Sequence, residues 1–228
     1  MSLDKSIALF GATGLVGSEC LRLLMDDAGF SRVMIFTRRP LSVKPDGEAD
    51  RPTLETHVLD FEQIERQGKA LAVDQIVCTL GTTIRKAGSR QEFRKVDFDY
   101  PLAIARTALA QGARHFLLVS ALGANAGSRL FYNRVKGELE AAILALPFRS
   151  HTILRPSLLL GKRAEFRLAE KLAERLAFLM PEKYKPVSAI AVAEALVASA
   201  REDRAGKRII ESAEIRASAG RRSDPGAV

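Results

Sequence analysis

Short, nearly uninterrupted runs of β-branched and apolar residues, alternating with segments of helical periodicity, set the narrowest limit on how this chain folds. The strand-like runs are residues 7–10, 33–37, 55–59, 75–80, 115–120, 152–154 and 208–212. A strand with one wet face alternates apolar and polar residues, whereas a strand covered on both faces need not. Between them, at 15–25, 62–67, 100–111, 130–146, 164–179 and 188–201, the pattern is helical. Strand–helix–strand repetition calls for right-handed crossovers and a parallel sheet with helices on both faces. Residues 41–51 are polar and contain Pro and Gly, as a loop would, and residues 213–228 are small and charged, as a flexible tail would be. The expectation is one α/β domain over residues 1–212 with a tail at 213–228.

The first strand-like run leads straight into Gly11-Ala12-Thr13-Gly14-Leu15-Val16-Gly17, which opens the first helix. Each glycine there has a physical task. Gly11 permits a tight turn off the strand, Gly14 lets backbone approach a diphosphate, and Gly17 allows helix and sheet to pack closely. The helix N-terminus then presents free N–H groups to an anion. The spacing is GxxGxxG, which is neither GxGxxG nor the GxxxxGK[ST] phosphate loop. Its position between a strand and a helix is what makes it a dinucleotide signal.

In NAD-binding units a carboxylate about 20 residues beyond the glycines holds the ribose hydroxyls. Here the second strand ends in Thr37-Arg38-Arg39. Guanidinium groups suit a 2′-phosphate, so NADP(H) is preferred and NAD(H) is second, with Arg38 nearer the strand end. Asp60, closing the third strand, is placed to accept from an adenine amino group. Leu80, Gly81 and Thr82 would pass beside the cofactor after the fourth strand.

The fifth strand ends at Ser120, and Tyr132 and Lys136 follow on a predicted helix. Positions i and i+4 share a helix face. A tyrosine ionises near pH 10, and acid–base work near neutrality needs that lowered by about 3 units, or about 4 kcal/mol. An ammonium about 4 Å away supplies roughly that at an effective dielectric near 20. Tyr132 then protonates a carbonyl oxygen as hydride arrives, with Ser120 holding the same oxygen.

The segments GATGLVG (11–17), TRR (37–39), LGTT (80–83), VSALGA (119–124), YNRVKGELE (132–140) and LRPSLLLG (154–161) together resemble the short-chain dehydrogenase/reductase superfamily. Within its extended or atypical branch they are similar to the Tat-interacting-protein-like oxidoreductases. The resemblance implies a Rossmann-type doubly wound parallel sheet with a reduced C-terminal substrate region, about residues 157–187. It implies cofactor contacts at Gly11, Thr13, Gly14, Leu15, Val16, Gly17 and Arg38, with Pro156 near the nicotinamide, and a Ser120–Tyr132–Lys136 catalytic set. Many relatives carry Asn where this chain has Asp97. Asp97 either orients a water for the lysine relay or pairs with Lys136 and weakens the activation of Tyr132. Segments 121–129 and 158–163 would line the substrate pocket.

The function expected is an NADP(H)-dependent oxidoreductase reducing a carbonyl of an unspecified small molecule. The alternative is a non-catalytic NADP(H)-sensing regulatory or interaction protein of the same fold. A third reading, an epimerase or dehydratase of nucleotide-linked sugars, uses the same residues but calls for a longer cap. The net charge of +8 favours anionic partners, but basic residues around 162–175 alternate with glutamates, and no basic stretch interleaves with aromatics. Nucleic acid is therefore not expected as a primary partner. No run reaches the roughly 18 apolar residues of a membrane span, and Asp4 and three glycines spoil a signal-peptide reading of the N-terminus. A cytoplasmic protein is expected, with a homodimer through the helices after strands four and five as a fold-level analogy. Cys20 and Cys78 read as buried thiols, and His57, His115 and His151 as structural residues; no metal site is expected.

Overall fold

The computed structural model describes residues 5–40, 51–160 and 181–220. The loop expected at 41–51 (save Arg51), the helix expected at 164–179, and the part of the pocket lining at 161–163 lie outside the described residues. In chain order the strands are β1 Ser6–Phe10, β2 Arg32–Thr37, β3 Thr53–Val58, β4 Gln75–Cys78, β5 His115–Val119, β6 Ser150–Arg155, β7 Leu159–Leu160, β8 Val187–Ser188 and β9 Gly206–Glu211. The α-helices are α1 Leu15–Met25, α2 Ile84–Ala87, α3 Arg90–Arg94, α4 Tyr100–Ala110, α5 Phe131–Leu144, α6 Ala189–Glu202 and α7 Ser212–Gly220. A 3-10 helix covers Phe61–Leu71, and a π-helical turn, Lys95–Asp99, joins α3 to α4.

Seven strands form one sheet in the order β3-β2-β1-β4-β5-β6-β9, and every pairing is parallel. Because the chain starts in the middle and winds outward in both directions, the order reverses between β1 and β4. That reversal opens a crevice at the carboxyl ends of those strands. β7 and β8 make a separate two-stranded pair.

Successive side chains on β1 feed two cores. Ile7 and Leu9 join Val16, Cys20 and Leu24 of α1 and Val192 and Leu196 of α6. Ala8 and Phe10 join Ile64, Ile104 and Ala108, with Leu139 and Ile143 of α5, on the other face. Both faces are covered, which is why the central strands are uniformly apolar. The expectation of full coverage fails at the two edges. β3 is largely exposed or half-buried, and so is β9, since each lacks a neighbour on one side and lies at the rim of its helical layers.

The flexible tail expected at 213–228 is corrected over residues 213–220; residues 221–228 lie outside the described residues. Residues Ser212–Gly220 form α7, and Ile215 is fully buried in the core. Burying such a side chain is worth about 1.5–3 kcal/mol. A nine-residue helix would be marginal alone, so this packing is what holds it.

Candidate active site

Gly11, with φ at +90°, turns the chain off β1 through a region that favours glycine. The Gly14 N–H donates to the Gly11 carbonyl at 2.8 Å, closing the turn. A methyl at Gly17 would lie 2.1 Å from the Gly11 carbonyl oxygen and 2.7 Å from Thr79 Oγ1, so α1 rests directly on the turn. α1 begins without a side-chain cap and without an acidic residue in its first turn. No acidic side chain of its own first turn therefore competes with an anion for its first amides, from Leu15, Val16 and Gly17. Thr13 is exposed at the crest. The turn stands at the β1/β4 reversal, and its donor set fits a dinucleotide's diphosphate.

Arg38 and Arg39 follow β2 directly and are exposed. Asp60 caps the 3-10 helix, accepting from the Glu62 N–H at 3.0 Å and the Gln63 side-chain amide at 3.1 Å. That carboxylate thus already has local partners. Leu80 and Gly81 come just after β4, Ser120 just after β5, and Pro156 just after β6. The Ser120 N–H donates to Leu154 O and the Leu122 N–H to Pro156 O, each at 2.8 Å. These bonds tie the loops after β5 and β6 together. Ser120 is 5% exposed, and its buried Oγ has no hydrogen-bond partner among the described residues.

Tyr132 lies in the first turn of α5 and Lys136 one turn further on. The tyrosine ring packs on buried Phe93 of α3, centroids 5.5 Å apart, and Phe93 also meets Phe131 at 5.7 Å. Lys136 Nζ is 2.7 Å from Asp97 Oδ1, with both side chains almost wholly buried. The other Asp97 oxygen accepts the Thr82 N–H at 2.8 Å. A methyl at Gly81 would stand 3.5 Å from Asp97 Oδ1 and 3.7 Å from Lys136 Nζ, so the ion pair lies beside the loop after β4.

Of the two roles open to Asp97, the geometry shows direct pairing with Lys136. The expected acidification of Tyr132 is corrected with it. Burial raises the phenol above its ordinary value; Lys136 pulls it down and Asp97 pushes it back up. Burial works against the Lys136 ammonium, but Asp97, Tyr132 and Cys78 more than offset that and hold its pKa above the usual lysine value.

Sequence reasoning missed the helical segments at 84–94 and with them Phe93; Thr82 was expected beside the cofactor, but its bond to Asp97 was not foreseen. The stretch is polar and carries Gly88, so it lacks an apolar stripe. One signal was available. Ser89 stands three residues before Glu92, and its Oγ accepts the Glu92 N–H at 3.0 Å, the forward half of a capping box.

The histidines lie apart from this arrangement. His57 stacks on Phe36, His115 bonds Thr152 at 3.0 Å, and His151 faces the carbonyls of Ile143 and Leu146. Burial pushes both cysteine thiols up to about 12. Among the described residues no cluster of ligands suits a metal, and no helix is long and apolar enough to cross a membrane. A polar cavity of about 210 Å³ between Thr152, Ser199 and the start of β9 lies at the opposite end of the sheet.

A doubly wound parallel sheet, a glycine turn at its reversal point and a Tyr/Lys turn beside it define a Rossmann-type protein of the nicotinamide dinucleotide class. The chain belongs to the NAD(P)H-binding family, whose profile matches residues 11–203. It is 35% identical over 190 residues to Protein HTATIP2 of Rattus norvegicus, covering 83% of this chain and 77% of that one. It is 36% identical over 215 residues to the Eremothecium gossypii protein named "Protein FMP52, mitochondrial", covering 90% and 93%. Among solved structures it is similar to an oxidoreductase of the short-chain dehydrogenase/reductase family from Burkholderia thailandensis. That match has a TM-score of 0.71 at 18% identity and covers 97% of this chain and 98% of that one. MoeE5 in complex with UDP-glucose and NAD is similar at a TM-score of 0.66 and 15% identity, over 96% and 82%.

Proposed function

We propose that this protein is an NADP(H)-dependent oxidoreductase that reduces a carbonyl group of a small molecule, with Tyr132 as the acid. The observation that carries the reading is a phenol one helical turn from a buried ammonium, at the sheet end where the glycine turn opens. Gly11, Thr13, Gly14, Leu15, Val16 and Gly17 hold the diphosphate, and Arg38 meets the 2′-phosphate that selects NADP(H) over NAD(H). Asp60, Leu80 and Gly81 border the adenosine and the bridging diphosphate, and Pro156 borders the nicotinamide. When bound, the reduced nicotinamide supplies hydride. Ser120 and Tyr132 hold the carbonyl oxygen, and Tyr132 gives it a proton. Burial of the Ser120 hydroxyl without a protein partner supports its role as a donor to substrate. The same proposal makes residues 157–187 a small substrate cap.

The test is NADPH oxidation over a panel of aldehydes and ketones, with direct NADPH and NADH titration. The chain has no Trp, so the cofactor's own fluorescence reports binding cleanly. Tyr132→Phe is expected to lose turnover by at least tenfold while keeping NADPH affinity, and Arg38→Ala to lose the preference for NADPH. Equal turnover in Tyr132→Phe removes the mechanism. A partner whose affinity tracks the NADPH/NADP ratio, with no turnover on any carbonyl, favours a sensing protein instead.

A further inference from the structure

The Asp97–Lys136 pair bears on which way Tyr132 moves its proton. A lone buried ammonium beside a phenol favours the phenolate, because it stabilises the new negative charge. Here the ammonium already has a carboxylate at 2.7 Å, and that carboxylate is fixed on its other side by the Thr82 N–H. The field reaching Tyr132 is the difference between two opposite charges and falls off much faster than either alone. Among the described residues, the titratable groups acting on the Lys136 side of the pair are Cys78 from β4 and Tyr132 itself on α5. Cys78 is a neutral thiol well past neutrality.

We infer that Asp97 is a positioning residue that neutralises Lys136 and keeps Tyr132 a phenol through the neutral range, so that the site gives protons to a nascent alkoxide rather than taking them from an alcohol. The inference rests on the oxidoreductase reading above. In the reducing direction the balance is complete. A reduced nicotinamide dinucleotide delivers hydride to the carbonyl carbon, and the π pair of the C=O bond moves to oxygen. That oxygen takes the Tyr132 proton, and the phenolate left behind is reprotonated from solvent. Tyr132 as a residue is 36% exposed, so the site is not sealed from the solvent that supplies this proton. The reverse reaction needs the phenolate first, and therefore an alkaline medium. The direction of the Tyr132 shift agrees, since burial raises the phenol and Asp97 offsets the pull of Lys136.

The chain has three tyrosines and no Trp, so ionisation can be followed by the phenolate absorbance band, with neither cofactor nor substrate present. The difference between wild type and Tyr132→Phe isolates the Tyr132 component. In wild type it is expected to ionise at or above the ordinary tyrosine value. In Asp97→Asn, whose amide oxygen can still accept the Thr82 N–H, it should move down by about 1–2 pH units. One unit charge has an effect of that size over roughly 6–12 Å at an effective dielectric near 20. Lys136→Gln leaves Asp97 unopposed and should move it further up. A wild-type Tyr132 phenolate at neutral pH, or an unmoved component in either variant, overturns the inference. Because no turnover is measured, such a failure would leave the oxidoreductase reading standing. A failed carbonyl panel would likewise leave this titration intact.

Discussion

Gly17→Ala tests how the cofactor turn is built. A Cβ at this position would stand 2.1 Å from the Gly11 carbonyl oxygen, 2.7 Å from the Gly11 carbonyl carbon and 2.7 Å from Thr79 Oγ1. Moving the first contact out to even 3.0 Å requires about 1 Å of displacement. Two of the three atoms are backbone, so no change of rotamer relieves the clash. Overpacking a close-fitted site costs about 1–3 kcal/mol, and the better helix propensity of alanine returns only about 0.8–1 kcal/mol. A net loss of up to about 2 kcal/mol lowers the melting midpoint of a chain this size by up to about 8 °C. The displacement falls on the Gly11 turn itself, so NADPH affinity should fall as well. Gly14→Ala separates the two effects. Its φ of −77° is ordinary, and a methyl there meets only the Gly11 carbonyl oxygen, at 3.1 Å. That variant should keep its midpoint within about 0.5 kcal/mol, as surface changes do, yet bind NADPH more weakly. Thermal unfolding and fluorescence titration of both proteins decide the matter. A wild-type midpoint in Gly17→Ala, or equal destabilisation of the two variants, would refute the packing argument.

Two further predictions concern groups away from the reaction centre. Burial pushes His115 down to about 4 against the opposing pull of Asp203, and burial also lowers His151. The unfolded chain therefore binds protons that the folded chain refuses, so stability is full above about pH 6.5 and falls as pH drops toward 4. For His115 the loss is up to about 3 kcal/mol, and urea midpoints across that range should decline less steeply in His115→Gln; identical slopes would contradict this. Arg155 holds the buried Glu140 carboxylate, with Nε 3.1 Å from each oxygen, and reaches the more exposed Glu211 at 2.9 Å. Arg155→Met leaves Glu140 buried without its cation and should cost about 3–5 kcal/mol in urea unfolding, while Glu211→Gln costs under about 1 kcal/mol. Equal costs would show that burial of Glu140 is not what matters.

What the sequence determined by itself follows from short-range rules. The apolar runs, the helical periodicity and the glycine spacing after residue 10 all act within one strand or one helical turn, and among the described residues they led to the strands and helices observed. They were enough for a doubly wound parallel sheet and for placing Tyr132 and Lys136 on one helix face. What only the tertiary structure decided involves groups far apart in the chain. Asp97 meets Lys136 because the turn before α4 packs against α5, and no local pattern tells a water-orienting carboxylate from an ion-paired one. Phe93 backs Tyr132 from a helix with no apolar stripe, and Ile215 folds a tail whose composition favours disorder. The ionisation of Tyr132 belongs with these, because a pKa responds to the summed field and desolvation of its surroundings rather than to its neighbours in sequence.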